Sequence, residues 1–178
     1  MNNKVLRLIG VLFVVAVMMG FGIPKNVQKK VDKAVTSYFE IEAFTMRPIT
    51  VPSSVNINLP CKITGENLFQ LFDGQSPIGY IFIEQAPSKT ANFDYMILMD
   101  DNFKILHSKV LIYREEYGGE IGSKRWLKQF IGKTPGDRVD HKTNIDGIAG
   151  ATISVRSMTS AIDSLLQTVA ILQANKVL

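Results

Sequence analysis

One cysteine, Cys61, stands in the whole chain, so no intramolecular disulfide can form and no cysteine-rich zinc or iron–sulfur site is encoded. Histidine is almost as scarce. His107 and His141 stand alone, without a CxxCH haem-attachment sequence or a HExxH pair, which excludes haem and the common zinc arrangements. No Ser-His-Asp or Cys-His set occurs in a suitable context, and there is no internal repeat or low-complexity tract. Redox chemistry, if the chain performs any, must therefore use another cofactor.

Charge is what the N-terminus lacks. In MNNKVLRLIGVLFVVAVMMGFGIPK no side chain from Leu8 to Ile23 is charged, and counted from Val5 the stretch is just long enough to cross a bilayer. Soluble helices keep a polar face and this segment has none, so residues 1–24 are expected to form one N-terminal transmembrane helix. No Ala-x-Ala cleavage site follows it and Cys61 lies too far downstream for lipidation, which favours a retained anchor over a cleaved signal. Lys4 and Arg7 precede the run while Lys25, Lys29, Lys30 and Lys33 follow it, so positive charge alone gives no orientation. The very short N-terminal flank is easily kept inside. That places the chain in the cell membrane as a single-pass protein with its bulk on the extracytoplasmic, periplasmic side.

The 178-residue chain carries a formal charge of +4 with a pI near 9.2. Much of that excess is the Lys25 to Lys33 cluster beside the apolar run, where a basic face suits anionic headgroups. Nucleic acid is not an expected partner, because no aromatic-basic stacking pattern accompanies the charge.

Beyond Pro24, Val27, Val31, Ala34, Val35 and Tyr38 recur at helical spacing, and residues 25–47 read as a juxtamembrane amphipathic helix that TMRPITVPSSVN then breaks. Residues 48–178 read as one α+β domain, an antiparallel sheet of hairpins with packed helices. LFQLFDGQSPIGYIFIEQ predicts two strands about a turn at Asp73 to Pro77, and FDYMILMDDNFKILHSKVLIYRE predicts two more about Asp100 to Asn102. Gly118 and Gly119 read as a tight bend. Ser123 to Phe130 reads as a short helix capped by Ser123 and burying Trp126, Leu127 and Phe130. A final helix is expected from about Ser154 to Leu172, with Met158, Ile162, Leu165, Leu166, Val169 and Leu172 on one stripe.

The chemistry concentrates just before that helix, in NIDGIAGATIS. Asp146, Gly147, Ile148, Ala149, Gly150, Ala151 and Thr152 resemble the D-G-x-[S/T]-G-A-T pattern of FMN-binding domains of the Rnf and sodium-pumping NADH:quinone oxidoreductase subunit type, departing from it at Ala149. The resemblance implies that a flavin transferase esterifies FMN through its phosphate to the hydroxyl of Thr152. Taken on its own chemistry, a phosphodiester there meets the exposed N–H groups of the helix start, at Ile153 and Ser154, with Arg156 one turn along. Taken as an isolated residue, Thr152 reads as a plain helix cap; it is the whole heptad that points to a flavin. YREEYGGEIGSKRWLKQFIGK resembles the glutamate and glycine-bend element of the same family, which implies that Glu116, Tyr117, Gly118 and Gly119 line the isoalloxazine.

The expected function is a membrane-anchored flavoprotein with covalent FMN. It relays electrons in a respiratory or extracytoplasmic chain, with redox proteins or membrane-complex subunits as partners. Two rivals are a flavin-dependent reductase acting on its own small acceptor, with Tyr117 and His141 as weak proton-donor candidates, and a non-redox membrane-tethered accessory module. No catalytic residue and no metal site is assigned.

Overall fold

The computed structural model describes residues 22–178. The membrane-spanning helix expected within residues 1–24 falls outside them, and among the described residues no helix is long and apolar enough to cross a membrane. Five antiparallel strands form one sheet in sequence order: β1 (Thr45–Pro48), β2 (Leu68–Asp73), β3 (Ser76–Pro87), β4 (Asn92–Met99) and β5 (Ile105–Ile112). The sheet is a meander in which every strand lies beside its neighbour in sequence.

Helix α1 (Lys25–Phe39) covers one face. Its buried Val27, Val31, Ala34 and Val35 pack on Phe69, Leu71, Ile81, Ile83, Met96 and Leu98. The long C-terminal helix α4 (Thr152–Ala174) covers the other face, burying Met158, Ile162, Leu165, Leu166, Val169 and Leu172 with Leu68, Phe82, Tyr95, Ile97 and Met99. Successive strand residues point to opposite faces, so Tyr95, Ile97 and Met99 serve one core while Met96 and Leu98 serve the other. A sheet buried on both sides needs apolar residues in unbroken runs, which is why YMILM reads as it does.

The structure differs from the expected layout in two places near the front. The first helix stops at Phe39 and does not continue to residue 47, because Thr45–Pro48 pairs with Phe69 to Phe72 as strand β1. A fourth-position proline is tolerated there because β1 is an edge strand. Ser53–Asn56 then makes a single helical turn, α2, where only a break was expected. At the far edge, β5 is closed off by the following loop: the Ile105 N–H donates to the Lys133 carbonyl and the Gly132 N–H to the Ile105 carbonyl. Pairing of this kind protects an edge strand from joining another chain.

Candidate functional site

A cleft of about 600 Å3 opens where the N-terminus of α4 meets the β3–β4 loop and the segment leaving β5. Its walls are Ser88, Lys89 and Thr90 from the loop, Tyr113 to Tyr117 from the segment after β5, and Gly150 to Ser154 from the start of the helix. That volume lies within the roughly 300–1,000 Å3 range of small-molecule sites.

The helix start is built by a tight turn. The Ala151 N–H donates to the Ile148 carbonyl, and Gly150 takes φ 79°, the left-handed geometry that glycine adopts at the third position of such a turn. Thr152 is the first helical residue rather than the cap, because the helix begins two residues earlier than the expected Ser154. Ala151 occupies the cap position and has no side-chain acceptor. The first helical hydrogen bond is from Val155 N–H to the Ala151 carbonyl, which leaves the N–H groups of Thr152, Ile153 and Ser154 without an acceptor among the described residues. Thr152 itself is exposed. A 23-residue helix without a cap, and with a free hydroxyl at its first position, suits a phosphate there.

The glycine bend sits directly against this turn. Gly118 has φ 81°, and a Cβ added to it would lie 2.6 Å from the Ala151 Cβ and 3.0 Å from the Tyr113 hydroxyl. Only glycine lets the segment after β5 approach the helix start so closely. A 3-10 turn over Gly119–Gly122 follows, and then α3 (Lys124–Leu127), whose Ser123 cap accepts from the Trp126 N–H as expected. Trp126, Leu127 and Phe130 are buried in the core, and Trp126 does more than fill space: its indole Nε1–H donates to the Asp146 carbonyl at 2.8 Å. Gln129 holds the same residue by accepting from its backbone N–H at 2.8 Å.

One wall of the cleft is a set of hydroxyl groups. Ser154, 1% exposed, has its Oγ 2.5 Å from Ser88 Oγ and 3.0 Å from the Tyr113 hydroxyl, so helix, loop and strand end are joined at one atom. Glu115 pins the loop beside it. Its carboxylate accepts from the Thr90 N–H at 2.7 Å, the Thr90 hydroxyl at 2.8 Å and the Ala91 N–H at 3.2 Å. Those bonds, with a smaller one from Ser88, hold its pKa down at about 2. Arg114 reaches the buried Asp94 at 2.6 Å and the Asn92 carbonyl at 2.6 Å. Asp94 also borders a groove against Gly22, Pro24 and Val27, so the cleft lies at the end of the sheet where α1 begins.

The predicted residues do not all meet in one place. Thr152, Gly150, Ala151, Ile153, Ser154, Glu116 and Tyr117 line the cleft together, while Gly118 packs behind its wall and Gly119 is exposed outside it. Gly147 and Arg156 face a second hollow of about 460 Å3 with His141, Lys142 and Thr152, so Thr152 forms the ridge between the two. Asp146 lies further off, in a small hollow of about 220 Å3 with Trp126 and Gln129. The adjacent carboxylates Glu115 and Glu116 both border the cleft, but Glu115 is committed to the loop and only Glu116 is free to face a ligand. Ser88, Lys89 and Thr90 carry no pattern in the sequence and enter the site through folding alone, while Tyr113 and Arg114 open the glycine-bend element without an expected role in it. Asp100 is a turn residue, accepting from the N–H groups of Asn102 and Lys104. Among the described residues no cluster of three His, Cys, Asp or Glu side chains could hold a metal.

Two of the large apolar side chains left exposed, Tyr117 at 73% and Ile153 at 49%, both line the cleft. Exposed apolar side chains beside an uncapped helix start suit a ring carried on a phosphate, as in FMN.

Comparison with known proteins agrees with that reading. The fold is similar to the crystal structure of NqrC from Shewanella oneidensis, with a TM-score of 0.58 over 86% of this chain and 99% of that one, at 13% sequence identity. At that identity the likeness is one of fold. No curated protein sequence matches the chain. The family model described as FMN-binding domain matches residues 90–167, a span that holds β4, β5, the glycine bend and the start of α4. Over residues 90–167 this chain is therefore similar to the FMN-binding domain family.

Proposed function

We propose that this chain is a membrane-anchored, extracytoplasmic flavoprotein that carries one FMN, esterified through its phosphate to the Thr152 hydroxyl, and relays electrons between redox partners. The observation that carries the reading is Thr152 itself: an exposed hydroxyl at the first position of an uncapped helix, on the ridge between the cleft and the hollow of Arg156. The free N–H groups of Thr152 to Ser154 and the helix dipole stabilise the phosphate. Arg156 is placed on the other side to add a charge-assisted contact.

Bound FMN would supply both one- and two-electron redox chemistry at this site. The chain's own residues hold it and shape its surroundings. Tyr117 and Ile153 offer the apolar surfaces, Glu116 the uncommitted carboxylate, and the Ser88–Ser154–Tyr113 hydroxyls fix the distance between loop and helix. A cleft with such exposed walls leaves a ring edge open for a docking protein, which favours a relay over a reductase with its own enclosed acceptor pocket. A covalent bond removes the off-rate, as a carrier facing a dilute extracytoplasmic space requires.

The test is maturation of the protein in a host with a flavin transferase, followed by acid precipitation. The precipitate stays yellow for the native sequence and is colourless for Thr152→Ala. A native protein that matures colourless removes the relay reading, and colour that survives Thr152→Ala moves the attachment elsewhere.

A further inference from the structure

We infer that the lysine face of α1 is the domain's membrane-contact surface, occupied by anionic lipid headgroups; this rests on the anchor reading above. Helix α1 turns Val27, Val31, Ala34 and Val35 into the sheet and leaves Lys25, Lys29, Lys30 and Lys33 exposed on the opposite side. None of the four has a carboxylate within ion-pair distance among the described residues. Asp32, the one acid in the helix, is engaged by the Gln28 amide at 2.7 Å and leaves the stripe unneutralised.

This face breaks two local rules at once. Lys25, Lys29 and Lys33 repel each other at successive i, i+4 positions, and Lys25 sits at the positive end of the helix dipole, with no acid anywhere in the first turn. Neither choice helps the isolated domain fold. Departures of that kind mark function, and an anionic surface relieves both. The chain itself says which surface: the uncharged run Leu8 to Ile23 ends within two residues of Lys25, so an inserted anchor holds this face at the headgroup layer without any partner protein. With α1 against the membrane, the sheet forms the next layer and α4 the outer one. The cleft opens at the edge where the chain enters, so docking proteins reach it from the side.

The test uses the full chain in lipid nanodiscs of phosphatidylcholine with and without phosphatidylglycerol, reading amine acylation at each lysine by mass spectrometry. Labelling of Lys25, Lys29, Lys30 and Lys33 is expected to fall about fivefold in anionic discs, from about 1 kcal/mol per lysine, and to recover at high salt. Lys104 and Lys176 serve as exposed controls that keep their rates. The variant with all four changed to Gln keeps its melting temperature and loses any difference between the two lipids in α1 amide exchange. Equal labelling in both lipids overturns the inference, as does protection given only by an acidic protein or nucleic acid. Failure of the anchor reading looks different: the protein then stays out of phosphatidylcholine discs altogether. In that case association with anionic discs that depends on the four lysines still upholds the surface, and its absence removes both.

Discussion

Replacing Gly118 by Ala tests whether the glycine bend and the attachment turn are one packed unit. The added Cβ meets two separate penalties. At φ 81° an L-residue pays about 1–2 kcal/mol for the left-handed conformation. At 2.6 Å from the Ala151 Cβ and 3.0 Å from the Tyr113 hydroxyl, it must also push backbone or core aside, which costs about 1–3 kcal/mol. The sum of about 2–5 kcal/mol, at roughly 2–4 °C per kcal/mol for a domain of this size, lowers the melting temperature by about 4–20 °C. Because the strain falls on the residue next to Thr152, flavin content per mole of folded protein should fall with it. Gly119→Ala is the internal control: no atom lies within 4 Å of its added Cβ and its φ is ordinary, so the change stays within about 0.5 kcal/mol. Thermal melts by circular dichroism and absorbance of the purified holoprotein read both effects. If Gly118→Ala melts with the native protein, or Gly119→Ala costs as much, the close packing of bend on turn is wrong.

Further outcomes follow from the cleft wall and the α1 contact. Ser154→Ala leaves the half-buried hydroxyls of Ser88 and Tyr113 short of a partner and should cost about 0.5–1.5 kcal/mol in urea unfolding, whereas Ser154→Thr keeps the hydroxyl and most of the stability. Glu115 has its folded pKa depressed from the ordinary 4.5 to about 2, so its hold on the loop is complete above pH 4.5 and is lost as pH falls through 2. Amide exchange at Thr90 and Ala91 should stay protected at mildly acid pH and open near the lower value, and in Glu115→Gln it should be open throughout. His107 stacks on Tyr38 at 5.4 Å, and burial first, then Lys109 and Lys124, lowers its pKa. Its packing therefore contributes above pH 6.5 and is lost as acid forces a proton onto the ring. His107→Phe should flatten the weakly acidic part of the stability profile.

What the sequence shows and what it hides divide along contact range. Strands β2 to β5 are legible because each hairpin carries its own turn residues and its own apolar run. The short helix is legible from Ser123 and its aromatic face. Strand β1 is not, since Thr45 to Pro48 has neither alternation nor length and exists only because β2 offers it a partner. The start of α4 is misplaced by two residues for a related reason: Ala151 is the cap, and alanine gives no capping signal. Thr152, Glu116 and Tyr117 could be named from pattern because the motif is local. Ser88, Tyr113 and the Glu115 clamp could not, because they reach their partners across 66, 41 and 25 residues through hydroxyl and carboxylate groups that follow no periodicity.

The most direct measurement is mass mapping of the tryptic peptide Thr143 to Arg156 from protein matured with a flavin transferase. The account predicts an FMN-sized mass increment, flavin fluorescence in that peptide, and fragment ions that place the increment on Thr152 and not on Thr143. An unmodified peptide from fully folded protein, or an increment on any other residue, contradicts it.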